Sequence, residues 1–401
     1  MADGALSDLS ILELGEGISA PFCAKLMADL GAEVLKIEAP SSGDAARQAG
    51  PFPDDIPHAE KSGLFLYLNA NKLGITLDLS QPDGQSLFHR LLESTDVLVH
   101  NKHPEDADGL RLAYDSLKSL NPGIIVASIT PLGARGPYRS FKATPFNVCH
   151  FSGVASMIGE PDREPLALPE DQTAYLGAIT AAGATLCALF ARDVDGCGQD
   201  VDISEADAIG GLFGGMSVTR AFITQEATPR FHRLPFFYPN GVLPCKDGYV
   251  ALVANTDVQW ERLVEVMGSP EWAQEEVFKT ALSRSELADA LDELLMPWLM
   301  QHTKEEIFRM CQSNRVPAAP IYSAEDVVGH YHLEERGFFA EVDHPLAGRM
   351  RYPGAPFIFS ETPWSLRRPA PMLGEHNREV YCERLGLSDT EFASLESRHV
   401  I

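Results

Sequence analysis

Residues Ile11–Ile37 read ILELGEGISAPFCAKLMADLGAEVLKI, and this stretch decides the fold class. Ile11-Leu12-Glu13-Leu14 reads as a strand, and Pro21 to Leu30 follows as a helix with small and apolar residues on one face. Gly31 stops that helix, and Val34-Leu35-Lys36-Ile37 is the next strand. Outward from there, Ile75-Thr76-Leu77-Asp78-Leu79 is a strand, Gln85 to Leu92 an amphipathic helix, Val97-Leu98-Val99 a strand and Gly123 to Ile129 a longer one. Strands alternating with helices of this length predict βαβ units around a parallel sheet. An open sheet of that kind takes its ligand beyond the carboxyl ends of its strands. A dinucleotide site is not predicted: Gly15-Glu16-Gly17 lacks the third glycine of the fingerprint, and Pro21 opens the helix.

The chain has 401 residues, enough for two or three domains of ordinary size. A proline- and aromatic-rich stretch, Pro229 to Pro244, and a second, Val316-Pro317-Ala318-Ala319-Pro320, punctuate it. Joints near 225 and 325 predict an α/β domain begun by residues 1–225, a helical insertion at 226–325, and a return to the large domain at 326–401. Between the first sheet pattern and the first joint lies Tyr175 to Arg192, whose many small residues predict a buried helix packed closely on several sides. Val201-Asp202-Ile203 follows as a strand.

Charge narrows the function. Lys and Arg number 32 against 57 Asp and Glu, a formal net charge of −25. Such a surface repels phosphate backbones and anionic lipids, which argues against nucleic-acid and membrane-surface roles. No run approaches the roughly 20 apolar residues of a membrane span. The N-terminal MADGALSDLS carries acids where a signal peptide needs a basic region, so a cytoplasmic protein is expected. The seven cysteines are scattered, with no CxxC pair and no zinc-like Cys/His spacing; no metal is predicted, and the thiols read as those of a reducing compartment.

One residue stands out for chemistry. Asp171, in Leu168-Pro169-Glu170-Asp171-Gln172-Thr173, directly precedes the small-residue helix. An Asp there is a standard N-cap. It is equally a carboxylate held at a helix N-terminus with its loop side open to a ligand, and Asp is a competent nucleophile toward an activated acyl group. The residues alone leave both readings open.

The chain resembles the class III CoA-transferases, the family of carnitine CoA-transferase and formyl-CoA:oxalate CoA-transferase. The likeness runs nearly end to end. It rests on Leu30-Gly31-Ala32-Glu33-Val34-Leu35-Lys36-Ile37-Glu38 with Gly43-Asp44 and Arg47, Asn71-Lys72 with Leu77-Asp78-Leu79, Asn121-Pro122, and Gly133 with Gly136-Pro137-Tyr138. Further along come Gly198 to Ser204, Gln259-Trp260, Val316 to Pro320, and Pro371-Met372-Leu373-Gly374-Glu375-His376. The resemblance implies a Rossmann-like large domain built from both chain parts, a smaller inserted domain, and an interlocked homodimer with the active site between subunits. It also implies CoA transfer between carboxylic acids through an aspartyl-CoA thioester on Asp171. CoA is then a substrate, exchanged between an acyl-CoA donor and a carboxylic-acid acceptor, and no tightly bound cofactor is expected. Positions matching the family's CoA contacts are Ile18, Ser19, Leu77, Asn101, Lys102 and Lys142. Arg111 lies two residues beyond Gly109, which stands where the family often has a CoA-binding arginine.

Two departures matter. Formyl-CoA transferase closes a run of glycines over its aspartate; the stretch Pro229 to Pro244 has none and carries Phe236, Phe237 and Tyr238 instead. The α-methylacyl-CoA racemases share the fold and the aspartate but add a Gly-His-Asp motif, and that slot here holds Ala143-Thr144-Pro145. Proton exchange at an α-carbon needs acid/base groups on both faces, so transfer is favoured over racemisation. A racemase and a non-catalytic CoA-binding homologue are the alternatives. Because the ligands are anions in a negative field, screening should not weaken their capture. Raising ionic strength to ~0.15 M, where the Debye length is about 8 Å, is expected to leave acyl-CoA affinity by calorimetry unchanged or higher. A steep fall would contradict this.

Overall fold

The computed structural model describes residues 4–225 and 236–401. The chain divides into two compact units. The larger comprises residues 1–156, 166–228 and 336–401; the smaller comprises 157–165 and 229–335. The joint expected near 225 and the first part of the Pro229–Pro244 stretch fall on residues 226–235, outside the described residues.

In the larger unit, β1 (Ser10–Leu14), α1 (Ser19–Asp29), β2 (Glu33–Glu38), α2 (Gly63–Asn69), β3 (Leu73–Thr76), α3 (Pro82–Leu92) and β4 (Val97–His100) come first. Then follow α4 (Pro104–Gly109), α5 (Tyr114–Lys118), β5 (Ile125–Thr130), α6 (Pro145–Phe151), α7 (Gln172–Asp195), β6 (Asp200–Ser204) and α8 (Glu205–Thr224). The six strands pair in parallel in the order β3-β2-β1-β4-β5-β6. That is the doubly wound order, and its topological switch point lies between β1 and β4. The α/β class with a parallel sheet is as expected. One strand is shorter than predicted. β3 ends at Thr76: Leu77 N–H still donates to Glu38 O of β2 at 2.8 Å, but Asp78 N–H turns to Val400 O at 2.7 Å.

Side-chain alternation sends each strand's residues to two cores. Leu12, Leu35, Ile75, Leu98 and Val126 pack with α3 and the segment around Tyr381 on one face. Ile11, Val34, Val99 and Ile125 pack with α1 and α7 on the other. The small residues of α7 let it lie close: Ala174, Gly177, Ala178, Ala181 and Ala182 are all buried. Its opposite face bears Ile179, Leu186, Phe190 and Val194 in the open, beside exposed Leu212, Phe222 and Ile223 of α8. By length and composition α7 is apolar enough to cross a membrane, contrary to the sequence expectation. Of that apolar stretch 44% is buried, on the face toward the sheet and α1, whereas close packing on several sides was expected.

The outer edge of β3 is capped by a distant segment. Gly74 N–H donates to His376 Nδ1 at 3.1 Å, Thr76 N–H to Asn377 Oδ1 at 2.8 Å, and the Tyr381 hydroxyl to Thr76 O at 2.7 Å. A Cβ on Gly74 would lie 2.7 Å from Pro371 Cγ, so this edge admits only glycine. A hairpin of β10 (Phe339–His344) and β11 (Gly348–Pro353) also belongs to this unit, as does the helix Asp389–Ser397. Arg378 to Leu387 reads as a helix in the sequence; in the structure it is a single wide turn at Glu379–Arg384.

Unexpected from hydropathy is a buried ion cluster beneath the carboxyl ends of β1 and β2. Glu13 pairs in register with Lys36 across the two strands. Lys36 Nζ lies 2.7 Å from Glu13, 2.8 Å from Asp44 and 3.0 Å from Gly15 O. Lys72 Nζ lies 2.6 Å from the other Glu13 oxygen and donates to Pro21 O at 2.8 Å. All four charged side chains are fully shielded from water. Burial works against the Lys36 ammonium, but Asp44 and Glu13 outweigh it and keep the group charged. Next to the cluster Arg47 bridges Glu38 and Glu60, both at 2.6 Å.

In the smaller unit, expected to be a helical insertion, Gly248-Tyr249-Val250-Ala251-Leu252 reads as a strand, and the structure sets it in a three-stranded sheet. Antiparallel β7 (Asn240–Cys245), β8 (Gly248–Val253) and β9 (Ala318–Pro320) pack on helices drawn from Asp257–Ser313. Trp260, Leu263, Leu291, Leu295 and Ile307 fill its core. Buried Arg284 donates to Tyr238 O at 3.0 Å and Phe278 O at 2.9 Å. Tyr238 is thus a packing residue, while Phe236 and Phe237 are exposed.

Removing one member of a buried charge pair leaves its partner uncompensated, at about 3–5 kcal/mol. Lys36→Met, which strips a cation from both Glu13 and Asp44, is expected to cost that much in denaturant unfolding. A loss below about 1 kcal/mol would show that the cluster is not a stabilising unit.

Candidate active site

The site is built from the turns that follow the strands. After β1 the chain turns at Gly15-Glu16-Gly17. A Cβ on Gly15 would lie 2.5 Å from the Ala20 Cβ, so the turn hugs the start of α1. Gly17 takes a left-handed φ of 69° and donates its N–H to Asp44 Oδ1 at 2.8 Å. Asp44 itself is anchored to Lys36. The ion cluster therefore holds this turn from below.

After β4, Asn101 clips the facing turn. Its Oδ1 accepts from Glu16 N–H at 3.0 Å, and its Nδ2 donates to Glu16 O at 2.7 Å and Ser19 Oγ at 3.2 Å. Two turns on either side of the switch point are thereby fastened together. Beside them opens a cleft of about 250 Å³ lined by Leu14, Gly15, Gly43, Asp44, Leu77 and Lys102, among others. Lys102, partly exposed, is ion-paired with Glu16.

The predicted CoA contacts separate on this geometry. Leu77 and Lys102 line the cleft, and Ser19 and Asn101 form the adjoining clip. Ile18, half-buried, is the residue before α1. Arg111, with a left-handed φ of 59°, and Lys142 are both exposed, and neither lines the cleft.

Asp171 stands immediately before α7, but its side chain makes no capping hydrogen bond. The backbone gives the reason. An N-cap residue is normally extended, which lets its carboxylate fold back onto the first turn. Glu170 is left-handed at φ 52°, and Asp171 follows at φ −94°, ψ 45°. The backbone carbonyl of Asp171 still starts the helix, accepting from Ala174 N–H at 3.0 Å. Its carboxylate makes no hydrogen bond among the described residues and faces a cavity of about 270 Å³. Pro145, Phe146, Cys149, Leu168 and Thr173 complete most of the lining. Thr173 Oγ1 is buried there with no hydrogen-bond partner among the described residues. The loop into Asp171 is steadied by Leu168 N–H donating to Cys149 Sγ at 3.4 Å. Tyr175, one turn on, packs edge-to-face on Phe22 of α1 with centroids 5.0 Å apart.

The slot where a racemase motif carries histidine holds Thr144, whose hydroxyl donates to Asn147 Oδ1 at 2.8 Å. His150 lies on the exposed face of α6, with Nδ1 2.8 Å from Phe146 O, and does not line the Asp171 cavity. Sequence reading missed Glu205. It begins α8 at the carboxyl end of β6 and is buried; burial, with the Asp171 charge, pushes its carboxyl up against the pull of the Ser19 hydroxyl, to about 7. Its sequence signal, an acid in the first turn of a helix, is indistinguishable from ordinary dipole compensation.

Comparison with known proteins gives this arrangement a context. Residues 6–377 match the model of CoA-transferase family III. Succinyl-CoA--D-citramalate CoA-transferase of Chloroflexus aurantiacus is 33% identical over 99% of this chain and 98% of its own. Succinate--glutarate CoA-transferase of Agrobacterium fabrum is 30% identical over 94% of this chain and 95% of its own. The crystal structure of a CaiB/BaiF family protein from Brucella suis superposes with a TM-score of 0.86 at 28% identity, covering 95% of this chain and 99% of that one. The chain belongs to CoA-transferase family III and is a CoA-transferase.

Proposed function

We propose that this member of CoA-transferase family III moves CoA from an acyl-CoA donor to a carboxylic-acid acceptor through a covalent intermediate on Asp171. The observation that carries the reading is the Asp171 carboxylate, which makes no capping bond to its own helix, on a residue that lines a cavity. In the first step an Asp171 oxygen attacks the thioester carbonyl. A C–O bond forms, the C–S bond breaks, and CoA leaves as thiolate, giving a mixed anhydride. The thiolate then attacks the Asp171 carbonyl carbon; a C–S bond forms, the donor acid departs as carboxylate, and an aspartyl-CoA thioester remains. The acceptor carboxylate runs both steps in reverse. No water is consumed, so the thioester's free energy stays on the enzyme.

The cleft at the switch point is the proposed seat of CoA, with Lys102 as its cation. Glu16 holds that cation in the free chain. A diphosphate displaces Glu16 because it offers more charge and more acceptor oxygens. Short dicarboxylic acids are the proposed substrates, on the likeness to relatives whose names carry succinyl-CoA, citramalate, succinate and glutarate. We take the working form to be an interlocked homodimer in the cytoplasm. The broad apolar face exposed on α7 and α8 supports a second copy as its cover.

Incubation with succinyl-CoA and trapping with hydroxylamine or borohydride should change the mass of the peptide that contains Asp171. Asp171→Ala should abolish exchange by about a thousandfold or more. An unmodified peptide across a panel of donors, with exchange intact in the variant, would overturn the reading. Separately, Lys102→Ala is expected to raise KM for acyl-CoA about tenfold with kcat little changed, the worth of one charge-assisted contact. An unchanged KM would remove CoA from this cleft.

A further inference from the structure

We infer that the first turn of α7 is the oxyanion site for the reaction at Asp171, with Thr173 as a further catalytic residue. Its hydroxyl donates to the oxygen that turns negative when the thiolate adds to the Asp171 carbonyl. The inference rests on the assignment of Asp171 as nucleophile.

The chain itself places Thr173 at the reaction. It stands two residues after Asp171, in the first turn of a 24-residue helix, and both residues line the same cavity. Thr173 is only 2% exposed, and its Oγ1 is buried without a hydrogen-bond partner among the described residues. A threonine within a helix can satisfy its hydroxyl on the carbonyl four residues back. Thr180 of the same helix does so, donating to Leu176 O at 2.9 Å. For Thr173 the residue four back is Pro169, which precedes the left-handed Glu170, φ 52°, and Asp171, whose ψ of 45° is not helical. The helical ladder that serves Thr180 therefore does not extend behind Thr173. Thr130 and Thr185 also bury a hydroxyl without a partner among the described residues, but of the three only Thr173 lines the Asp171 cavity. A buried donor left unpaired costs stability, so one kept at a reactive carboxylate calls for an acceptor that arrives with the substrate.

The same backbone twist leaves amides unspent. Asp171 O accepts from Ala174 N–H at 3.0 Å and Tyr175 N–H at 3.3 Å, whereas the N–H groups of Gln172 and Thr173 have no acceptor among the described residues. An ordinary N-cap carboxylate would take up a donor of this turn in the resting state. The Asp171 carboxylate makes no such bond. No lysine, arginine or histidine lines the cavity, so what it offers a developing negative charge is neutral donors.

Those donors match one step. When the CoA thiolate adds to the Asp171 carbonyl carbon of the mixed anhydride, a C–S bond forms and the C=O electron pair moves onto the oxygen. Collapse restores the C=O, breaks the C–O bond to the donor acyl group and releases the donor acid as carboxylate. No proton is transferred; Thr173 donates its O–H to the oxyanion and keeps the proton. When the acceptor carboxylate attacks the aspartyl-CoA thioester, the same oxygen passes through the same charge and the thiolate leaves. A donor that is satisfied only in the adduct lowers the barrier without tightening the resting complex.

The test uses Thr173→Val, which removes the hydroxyl and keeps the shape, and Thr173→Ser, which keeps the hydroxyl and removes the methyl. Each is compared with wild type in the exchange of labelled succinate into succinyl-CoA, with the Asp171 peptide mass followed after trapping and Tm measured alongside. Thr173→Val should lose about a hundredfold in kcat with KM for succinyl-CoA within about threefold of wild type, while Thr173→Ser stays within about tenfold in kcat. The Tm of Thr173→Val should equal or exceed that of wild type, because no unpaired hydroxyl remains buried. A residue that only packs would give the opposite pattern, with Tm falling in both variants and kcat following it. That pattern, or a kcat for Thr173→Val within about threefold of wild type with Asp171 still modified, would overturn the inference and leave the proposed reaction standing. Failure to modify Asp171 in wild type would instead overturn the reaction itself. If Thr173→Val does not fold, Thr173→Ala takes its place, and a kcat equal to that of Thr173→Ser counts against the role.

Discussion

The large unit depends on one buried cluster of charges. Glu13 sits on the central strand β1 and faces the side where hydrophobic residues would ordinarily close the core against α1. Placing a carboxylate there is tolerable only because Lys36 arrives from β2 in exact register and Lys72 from the approach to β3. The same lysines then donate to Gly15 O and Pro21 O, which fixes the turn between β1 and α1 from within. Asp44 completes the arrangement by holding Gly17. The cleft wall, the Asn101 clip and the Ser19 hydroxyl all inherit their positions from this cluster. A purely apolar core at the same place would pack, but it would leave the turn's carbonyls and amides to find other partners.

Electrostatics then explains how so acidic a chain handles anionic ligands. The buried cations of the large unit among the described residues, Lys25, Lys36, Lys72 and Arg47, are committed to acids inside the fold and give nothing to the surface. Lys102 is the cation on the cleft wall, and it too is held by an acid, Glu16, which is exposed enough to be displaced. The surplus of carboxylates thus reaches into the cleft itself, where Glu16 and Asp44 line the wall beside Lys102. Net charge described the exterior; pairing and burial decide the site.

Much of this was legible in the sequence, and the limits have physical causes. The parallel sheet was readable because its strands are buried on both faces and so nearly continuously apolar. The end of β3 was not, since Leu77 and Leu79 keep the alternation while the Asp78 amide between them turns to Val400. The position of Asp171 was identifiable, but whether it caps or reacts depends on the backbone angles of Glu170 and Asp171, which composition does not encode. Lys36, Asp44 and Lys72 were visible as marks of a family likeness without their meaning as ion pairs, because their partner Glu13 lies within an apolar run and its contacts span up to 59 residues. In the smaller unit the strand at Gly248 to Leu252 was readable, whereas β9 was hidden: it has only three residues, two of them alanine.

The cap on β3 has a bearing on how the chain is made. His376, Asn377 and Tyr381 reach β3 across about 300 residues of sequence. During synthesis, β3 therefore emerges long before the groups that cover its edge, and an uncovered edge strand is a template for wrong partners. The continuous stretch 229–335 of the smaller unit appears complete before that cover exists. The large sheet thus spends most of translation with one side open, and its closure is a late event set by the ribosome's progress through residues 371–381. Protection of that edge in the meantime falls to whatever holds nascent chains apart.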